Sequence, residues 1–563
     1  THDAELLGDL KANIEQKLLD VKICDPAIGS GAFPMGLLRE LFFCRSAIEP
    51  NIIENAANIK RYIIQNNIYG VDIERGAVDI ARLRFWLALI VDEKTPEALP
   101  NLDFKIMQGN SLLEQYNGAD LSNMTEKKVG AEQSCSIFDN MLDGYRRNLR
   151  NKLSEYYSCP EHTKKVQLRK DIADIVKQEL TEQGIHIDFK DMDLSANSQF
   201  FLWHTWFHDV FSRPSKEGFD IVIGNPPYGA KYDNQTKRYY KNTYVTANSI
   251  RGLQKGSLDT YTLFIELGYN LLRRNGSFAY IVPISLTSSD SLTGVHRILM
   301  GNCDTIHISS YSVRPKPVFE NAVVNTSILL FQKTETPCQH LYSTKMHRRG
   351  NEFDLQKLID NLNFSNVYGY TMIGRIPKIG CEMEKDILIK IFNNTPIRSL
   401  YDDKGDPIYY RTTGGRYFKV VTNHSTGSTK EKPLYFQKRL SNAIGCILSS
   451  SLAFWFYQIY SNNLDWKTYE IENFTIPQLS AENIKILDDL YFRYLTDIEA
   501  KANVRTTSGE STYNVDSFKE YKIVRSKGII DEIDDYICPL YGLTQEEIDF
   551  IKNYELEFRM SGE

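Results

Sequence analysis

No Cys-x-x-Cys pair occurs among the nine cysteines, which are scattered singly from Cys24 to Cys538. That spacing and odd count argue against disulfides and structural zinc and point to a reducing compartment. No apolar run approaches the roughly 20 residues of a membrane-spanning helix; the most apolar stretch is only Phe85 to Val91. No basic-then-apolar leader opens the chain, which begins at Thr1 rather than Met. A cytoplasmic protein is therefore expected, with further sequence upstream of Thr1 and no membrane partner. An excess of cations is missing too: 66 Lys plus Arg against 72 Asp plus Glu leave a net charge of −6, so any nucleic-acid surface has to be local. There is no repeat period or low-complexity tract, although Ser508 to Tyr513 is polar enough for a mobile loop.

What is present is a chain of 563 residues with 42% hydrophobic side chains, too long for one core and globular in composition. From Val21 to Phe331, short apolar runs alternate with segments of helical period, the pattern of a parallel sheet flanked by helices. Strands are expected at Val21–Cys24, Ile68–Asp72, Phe104–Gln108, Phe219–Gly224 and Ser277–Val282, with Ile306–Tyr311 and Ser327–Phe331 as an antiparallel edge hairpin. A charged helical insertion, marked by Tyr145–Leu153 and Lys164–Leu180, interrupts this α/β domain between about 115 and 200. After Thr336 the texture turns to short, aromatic, Gly-punctuated segments, and from Ala481 helical periodicity returns. The expected divisions are 1–335, 336–480 and a helical tail, 481–563.

Two constellations carry chemistry. The first, Asp25-Pro26-Ala27-Ile28-Gly29-Ser30-Gly31-Ala32-Phe33, follows a strand and precedes a helix. A Gly-rich turn there lets a ligand approach the backbone and the amides of the helix N-terminus. Asp72 ends the next strand, where its carboxylate can accept hydrogen bonds from ribose hydroxyls. The second, Gly224-Asn225-Pro226-Pro227-Tyr228, also follows a strand. Its prolines stiffen the segment and remove donors, so the Asn225 side-chain carbonyl and the Pro226 backbone carbonyl can converge on one amino group. An amine conjugated to an aromatic ring is a poor nucleophile, and two fixed acceptors favour the pyramidal nitrogen that frees its lone pair for attack on a methyl group. Tyr228 offers a ring on which a base can stack.

D-P-A-x-G-S-G-A-F followed by N-P-P-Y resembles the γ-group of DNA adenine N(6)-methyltransferases, and the chain looks like the methyltransferase and specificity parts of type IIG or IIS restriction-modification enzymes. The resemblance spans about Val21 to Phe331. It implies a Rossmann-like methyltransferase sheet and a mixed α/β target-recognition domain. Its cofactor would be S-adenosylmethionine and its partner double-stranded DNA, with a nuclease upstream in the chain or on a separate subunit. Carried over by position, Asp25, Gly29, Gly31 and Phe33 would line the cofactor site, Asp72 would bind ribose, and Ile73 would pack on the cofactor's adenine. Asn110 stands where the family often has Asp. Asn225, Pro226 and Tyr228 would be catalytic, and Phe319, in Phe319-Glu320-Asn321-Ala322-Val323-Val324-Asn325, would supply a second face for the extruded base. Thr1 to Asp20 lacks the family's T-P-containing segment, and no persuasive nuclease motif occurs.

Gly229 to Leu258 carries Lys231, Lys237, Arg238, Lys241, Arg251 and Lys255 against Asp233, a local charge of +5. Ile408 to Leu440 carries Arg411, Arg416, Lys419, Lys430, Lys432, Lys438 and Arg439 against Glu431, or +6. Both are expected to meet DNA, the second in target recognition. Pro337-Cys338-Gln339 lies too far from the Gly-rich loop to be a cytosine-methylating nucleophile, and His204 and His208 lack further ligands for zinc, so no metal is expected. Two other readings stay open: methylation of a glutamine amide in a protein, since N-P-P-Y also occurs there, and a non-catalytic DNA specificity subunit.

Overall fold

The computed structural model describes residues 8, 10–93, 102–117, 119–121, 137–159, 161–182, 189, 192–229, 231–319, 323–349, 355–413, 419–506 and 517–560. The chain divides into two compact units. One comprises Thr1–Val282, Ser291–Ile306 and Ile328–Gln339; the other comprises Pro283–Asp290, His307–Ser327 and His340–Glu563.

The first unit opens with α1 (Leu10–Asp20), β1 (Ile23–Asp25), α2 (Ala32–Ile48), α3 (Ala56–Asn66), β2 (Ile68–Asp72), α4 (Arg75–Ile90) and β3 (Ile106–Gln108). A small hairpin, β4 (Gln115–Tyr116) with β5 (Ala119–Asp120), leads into α5 (Ile137–Ser158), α6 (His162–Glu182), α7 (Trp203–Trp206) and α8 (His208–Phe211). Then come β6 (Phe219–Gly224), α9 (Asn234–Thr243), α10 (Thr260–Leu271) and β7 (Leu272–Pro283). After α11 (Ser285–Ser288), which belongs to the second unit, α12 (Thr293–Asn302) returns to the first; β8 (Thr305–Tyr311) lies in the second unit from His307 onward, and β9 (Thr326–Gln332) in the first from Ile328 onward.

Hydrogen bonding orders the strands of the first unit β9-β7-β6-β1-β2-β3. β1 pairs in parallel with β2 on one side, Ile23 opposite Ile68, and with β6 on the other, Ile23 opposite Ile221. Flanked on both edges and covered on both faces, its three residues are all buried, which explains a strand without alternation. The chain moves outward from β1 through β2 to β3 and later returns to the opposite side of β1 as β6. The crevice beyond the carboxyl ends of β1 and β6 is therefore a topological switch point, where open α/β sheets hold ligands.

β6 keeps the limits expected of it, whereas β3 is shorter because Lys105 N–H closes a turn on Leu102. The helical insertion is present, with Leu149, Leu153 and Tyr156 of α5 and Leu168, Ile172, Val176 and Leu180 of α6 buried. One expectation is corrected: β8 and β9 form where anticipated but are not the edge. In the second unit β10 (His340–His347) and β11 (Ser365–Asn366) continue beyond β8 in the order β11-β10-β8. β10 buries Leu341 and Ser343 on one face and Thr344 and Met346 on the other, so both of its faces are covered.

The second unit continues with α13 (Leu355–Asp360), α14 (Glu382–Phe392), β12 (Thr395–Pro396), β13 (Tyr401–Arg411), β14 (Val421–Thr422), β15 (Glu431–Phe436), α15 (Lys438–Leu448), α16 (Ser451–Tyr460), α17 (Thr468–Glu472) and β16 (Thr475–Ile476). β14-β13-β15 form an antiparallel sheet. Helices α18 (Ala481–Ala500), α19 (Lys527–Leu540), α20 (Gln545–Asn553) and α21 (Leu556–Met560) make the tail, interrupted by the hairpin β17 (Asn503–Thr506) with β18 (Ser517–Glu520). Among the described residues no single helix is long and apolar enough to cross a membrane; α15 and α16 are an apolar pair bent by 70°, with Trp455 and Phe456 in the core. Ser508 to Tyr513 lies outside the described residues.

Candidate active site at the ends of two neighbouring strands

The loop after β1 is shaped by its glycines. Gly29 (φ +54°) and Gly31 (φ +82°) both occupy the left-handed region, and a Cβ on Gly31 would lie 3.0 Å from that of Ala81. The loop is pinned to the neighbouring strand: Ile28 N–H donates to the Val71 carbonyl (3.0 Å), and Gly29 N–H donates to the Asp72 carboxylate (2.8 Å). Ser111, following β3, donates its hydroxyl to the Pro26 carbonyl (2.6 Å). α2 then starts without a side-chain cap, so the first-turn amides of Ala32 and Phe33 have no acceptor inside the helix.

These residues suit S-adenosylmethionine. The Asp72 carboxylate takes two backbone donors, Gly29 and Glu74 (2.9 Å), which leaves two of its lone-pair positions for ribose hydroxyls. Ile73 is exposed beside it, Phe33 and Asn110 are half-buried, and Gln108 ties β3 to the Ile73 carbonyl (3.1 Å). Asp25 behaves differently from expectation. It is 2% exposed, its Oδ1 accepts the Ala27 N–H (3.0 Å), and burial, reinforced by nearby Asp72, pushes its pKa up to about 7. It braces the loop from beneath; it does not line the crevice.

Asp25 also meets the second loop. A Cβ on Gly224 would fall 2.6 Å from Asp25 Oδ1, so only glycine lets β6 end against this carboxyl group. Immediately beyond, Asn225 is half-buried, Pro226 buried, Pro227 exposed and Tyr228 half-buried. The Tyr228 hydroxyl donates to Asn225 Oδ1 (2.8 Å) and also lies 3.1 Å from the Ile281 carbonyl on β7. Its ring meets Tyr261 edge-on (6.1 Å, 86°), and burial raises its pKa to about 12, so it remains a neutral donor near neutrality. Gly229 N–H donates to Asp259 (2.9 Å), fixing the loop's far end to the start of α10. Asp259 and Tyr261 were missed by sequence reasoning; an acidic residue heading an apolar helix was the available signal.

Asp233 caps α9 by accepting from the Gln235 (2.8 Å) and Thr236 (2.9 Å) amides, and Lys231, Lys237, Arg238, Lys241, Arg251 and Lys255 are all exposed. In the second unit Lys438 and Arg439 are exposed at the start of α15, and Arg411 is half-buried at the end of β13. Lys419 departs from its expected role at a DNA-facing surface. It is 6% exposed, its ammonium 4.4 Å from the centre of the Tyr457 ring, and burial lowers its pKa to about 8 although Glu470 opposes the shift. Phe319 is half-buried and belongs to the second unit, while Arg416 lies outside the described residues. Cys338 is buried, His204 packs on Phe211 (4.2 Å), and no cluster of metal-binding side chains occurs among the described residues.

Residues 66–319 match the Eco57I restriction-modification methylase family. A Methanocaldococcus jannaschii protein named as a type II restriction enzyme and methyltransferase is 24% identical over 373 residues, covering 56% of this chain and 30% of its own length. The type II methyltransferase M.TthHB8I of Thermus thermophilus is 28% identical over 162 residues, covering 27% and 33%. The adenine-specific methyltransferase BrxX of Escherichia coli is 21% identical over 387 residues, covering 67% and 30%. The chain thus spans about a third of the length of these relatives. Among solved structures, the type IIL restriction-modification enzyme MmeI in complex with DNA aligns with 99% of this chain and 76% of its own at 12% identity and a TM-score of 0.46. The segment that matches this family contains β2, Asp72, β6 and the Asn225–Tyr228 loop.

Proposed function

We propose that the chain transfers a methyl group from S-adenosylmethionine to the exocyclic amine of a specific adenine in duplex DNA, as the modifying part of a restriction-modification enzyme. The observation that carries this reading is the meeting of the two loops: the glycine-shaped turn after β1 and the Asn225–Tyr228 segment after β6 leave adjacent parallel strands at the switch point, with Asp25 touching Gly224.

S-adenosylmethionine supplies an electrophilic methyl, whose transfer leaves a neutral thioether and releases one proton from the methylated amine. Asp72 receives the ribose, and Asn225 Oδ1 with the Pro226 carbonyl receives the two amine hydrogens, holding the nitrogen pyramidal. In the DNA-free protein Asn225 Oδ1 is occupied by the Tyr228 hydroxyl. When the adenine amine arrives, that hydroxyl has a second acceptor within reach at Ile281, so Asn225 is released without leaving the phenol unsatisfied. The Tyr228 ring offers the base a stacking face. Extrusion of a paired base costs a few kcal/mol, and stacking of about 1–3 kcal/mol per base offsets much of it. The exposed cations of 231–255, which begin three residues after Tyr228, suit phosphates flanking the extruded nucleotide. Lys438 and Arg439 of the second unit suit target recognition.

The test uses the chain with radiolabelled S-adenosylmethionine, offered plasmid DNA and protein acceptors separately, followed by nucleoside analysis and sequencing of the modified positions. Label in N6-methyladenine at one sequence context is expected. Label confined to protein, or carried by cytosine, would reverse the assignment.

A further inference from the structure

α4 is apolar on two faces, and the fold covers one. Val78, Ala81, Phe85 and Leu89 point into the core of the first unit together with Ile63, Ile64 and Ile68. A second stripe consists of Ile80 (47% exposed), Leu83 (49%), Leu87 (52%) and Ile90 (51%). A surface helix ordinarily carries one such stripe, and a contiguous exposed patch of large side chains marks an interaction site. The spacing of this one is informative. Steps of three, four and three residues place Ile80 and Leu87 at a and Leu83 and Ile90 at d of two heptads, the seam of a helix pair.

We propose that this stripe joins two copies of the chain through a parallel α4–α4 pair. The charges beside the seam choose the occupant and its direction. Asp79 holds a g position and Arg84 the e position five residues later, both exposed. In a parallel pair the g residue of one helix faces the e residue of the next heptad on the other, so Asp79 of each copy meets Arg84 of its mate. An antiparallel pair in register on the same four seam residues would set Arg84 against Arg84, which repel, and would leave Asp79 with no cation opposite it. Arg84 has no ion-pair partner among the described residues, and Asp79 makes a loose contact with Arg75 (3.9 Å) and a coulombic one with Arg82. Because α4 is already folded and backed by the sheet, pairing carries no helix-nucleation cost. Two heptads make a small interface, so self-association in about the micromolar range is expected. The inference is independent of the methyl-transfer reading.

Sedimentation velocity on the wild-type chain from about 1 to 100 μM, concentrations that bracket this affinity, should show a mass rising from one copy to two. Asp79→Arg and Arg84→Asp should each lower self-association at least tenfold, because each puts like charges across the seam. Mixing the two variants should restore pairing, since the two cations that one variant carries at these positions then face the two carboxylates of the other. Leu83→Ser with Leu87→Ser should weaken association and not be rescued by mixing. Unchanged thermal unfolding of these surface variants verifies the fold. A wild-type chain monomeric throughout, a dimer indifferent to both charge changes, or charge variants that fail to recover on mixing would each overturn the proposal.

Discussion

The two loops at the switch point achieve rigidity by opposite means. After β1 the backbone is bent by left-handed glycines and held from outside, by the Val71 carbonyl, the Asp72 carboxylate and the Ser111 hydroxyl. After β6 it is stiffened by two consecutive prolines and held from inside, by the Tyr228 hydroxyl on Asn225. The first solution leaves backbone amides free and suits a ligand recognised by shape and carboxylate contacts. The second leaves side-chain and backbone carbonyls free and suits a single nitrogen. Loss of side chains should therefore damage the second loop most, and added side chains the first.

The largest expected effect is at Asn225. Asn225→Ala should lower the rate of methyl transfer by about 10²–10³-fold, the usual cost of one preorganised polar contact to a reacting group, with S-adenosylmethionine affinity by calorimetry unchanged. A variant with near-normal turnover would break the contrast between the loops. Next comes Gly31→Ala, which forces a side chain into left-handed backbone beside Ala81 and should cost roughly 1–2 kcal/mol of stability; calorimetry should show weaker cofactor binding. Tyr228→Ala should lose the stacking of about 1–3 kcal/mol, read as impaired base extrusion with 2-aminopurine at the target position. Tyr228→Phe keeps the ring and removes only the hydroxyl, so it should stay within a few-fold of wild type.

A pH dependence also separates the brace from the crevice. Asp25 titrates near 7 when folded and near 3.8 when unfolded. The folded state binds its proton more tightly, so this group's contribution to stability is full below about pH 4 and is lost as pH rises to about 7. Asp25→Asn lacks that loss. Its melting temperature should gain on the wild type between pH 4 and 7 and hold a constant lead above. A lead that shrinks with rising pH would show a carboxylate stabilised by an unseen cation.

Much of this was legible in order along the chain. β6 occupies Phe219–Gly224 as its apolar run requires, and Gly29, Gly31, Asp72 and Asn225 stand at strand ends because turn glycines, prolines and carboxylates are local choices. The two basic stretches were not equally legible. In 231–255 every cation is exposed, whereas in 408–440 Lys419 is buried over Tyr457. A count of charges contains no information about which long side chain will fold its stem and head into an aromatic pocket. The inward packing of Asp25 was equally hidden, because it follows from the pairing of β1 with β6, whose residues lie almost two hundred positions apart.

By itself the amino-acid order determined the local conformations: where strands end, where glycine must bend the chain and where proline must stiffen it, all set by dihedral freedom and by neighbours within a few residues. Only the tertiary structure decided which of those ends share an edge, which carboxyl group is buried between them, and which apolar face of α4 is left bare. Those outcomes depend on long-range pairing and desolvation, and no window along the chain contains the atoms responsible.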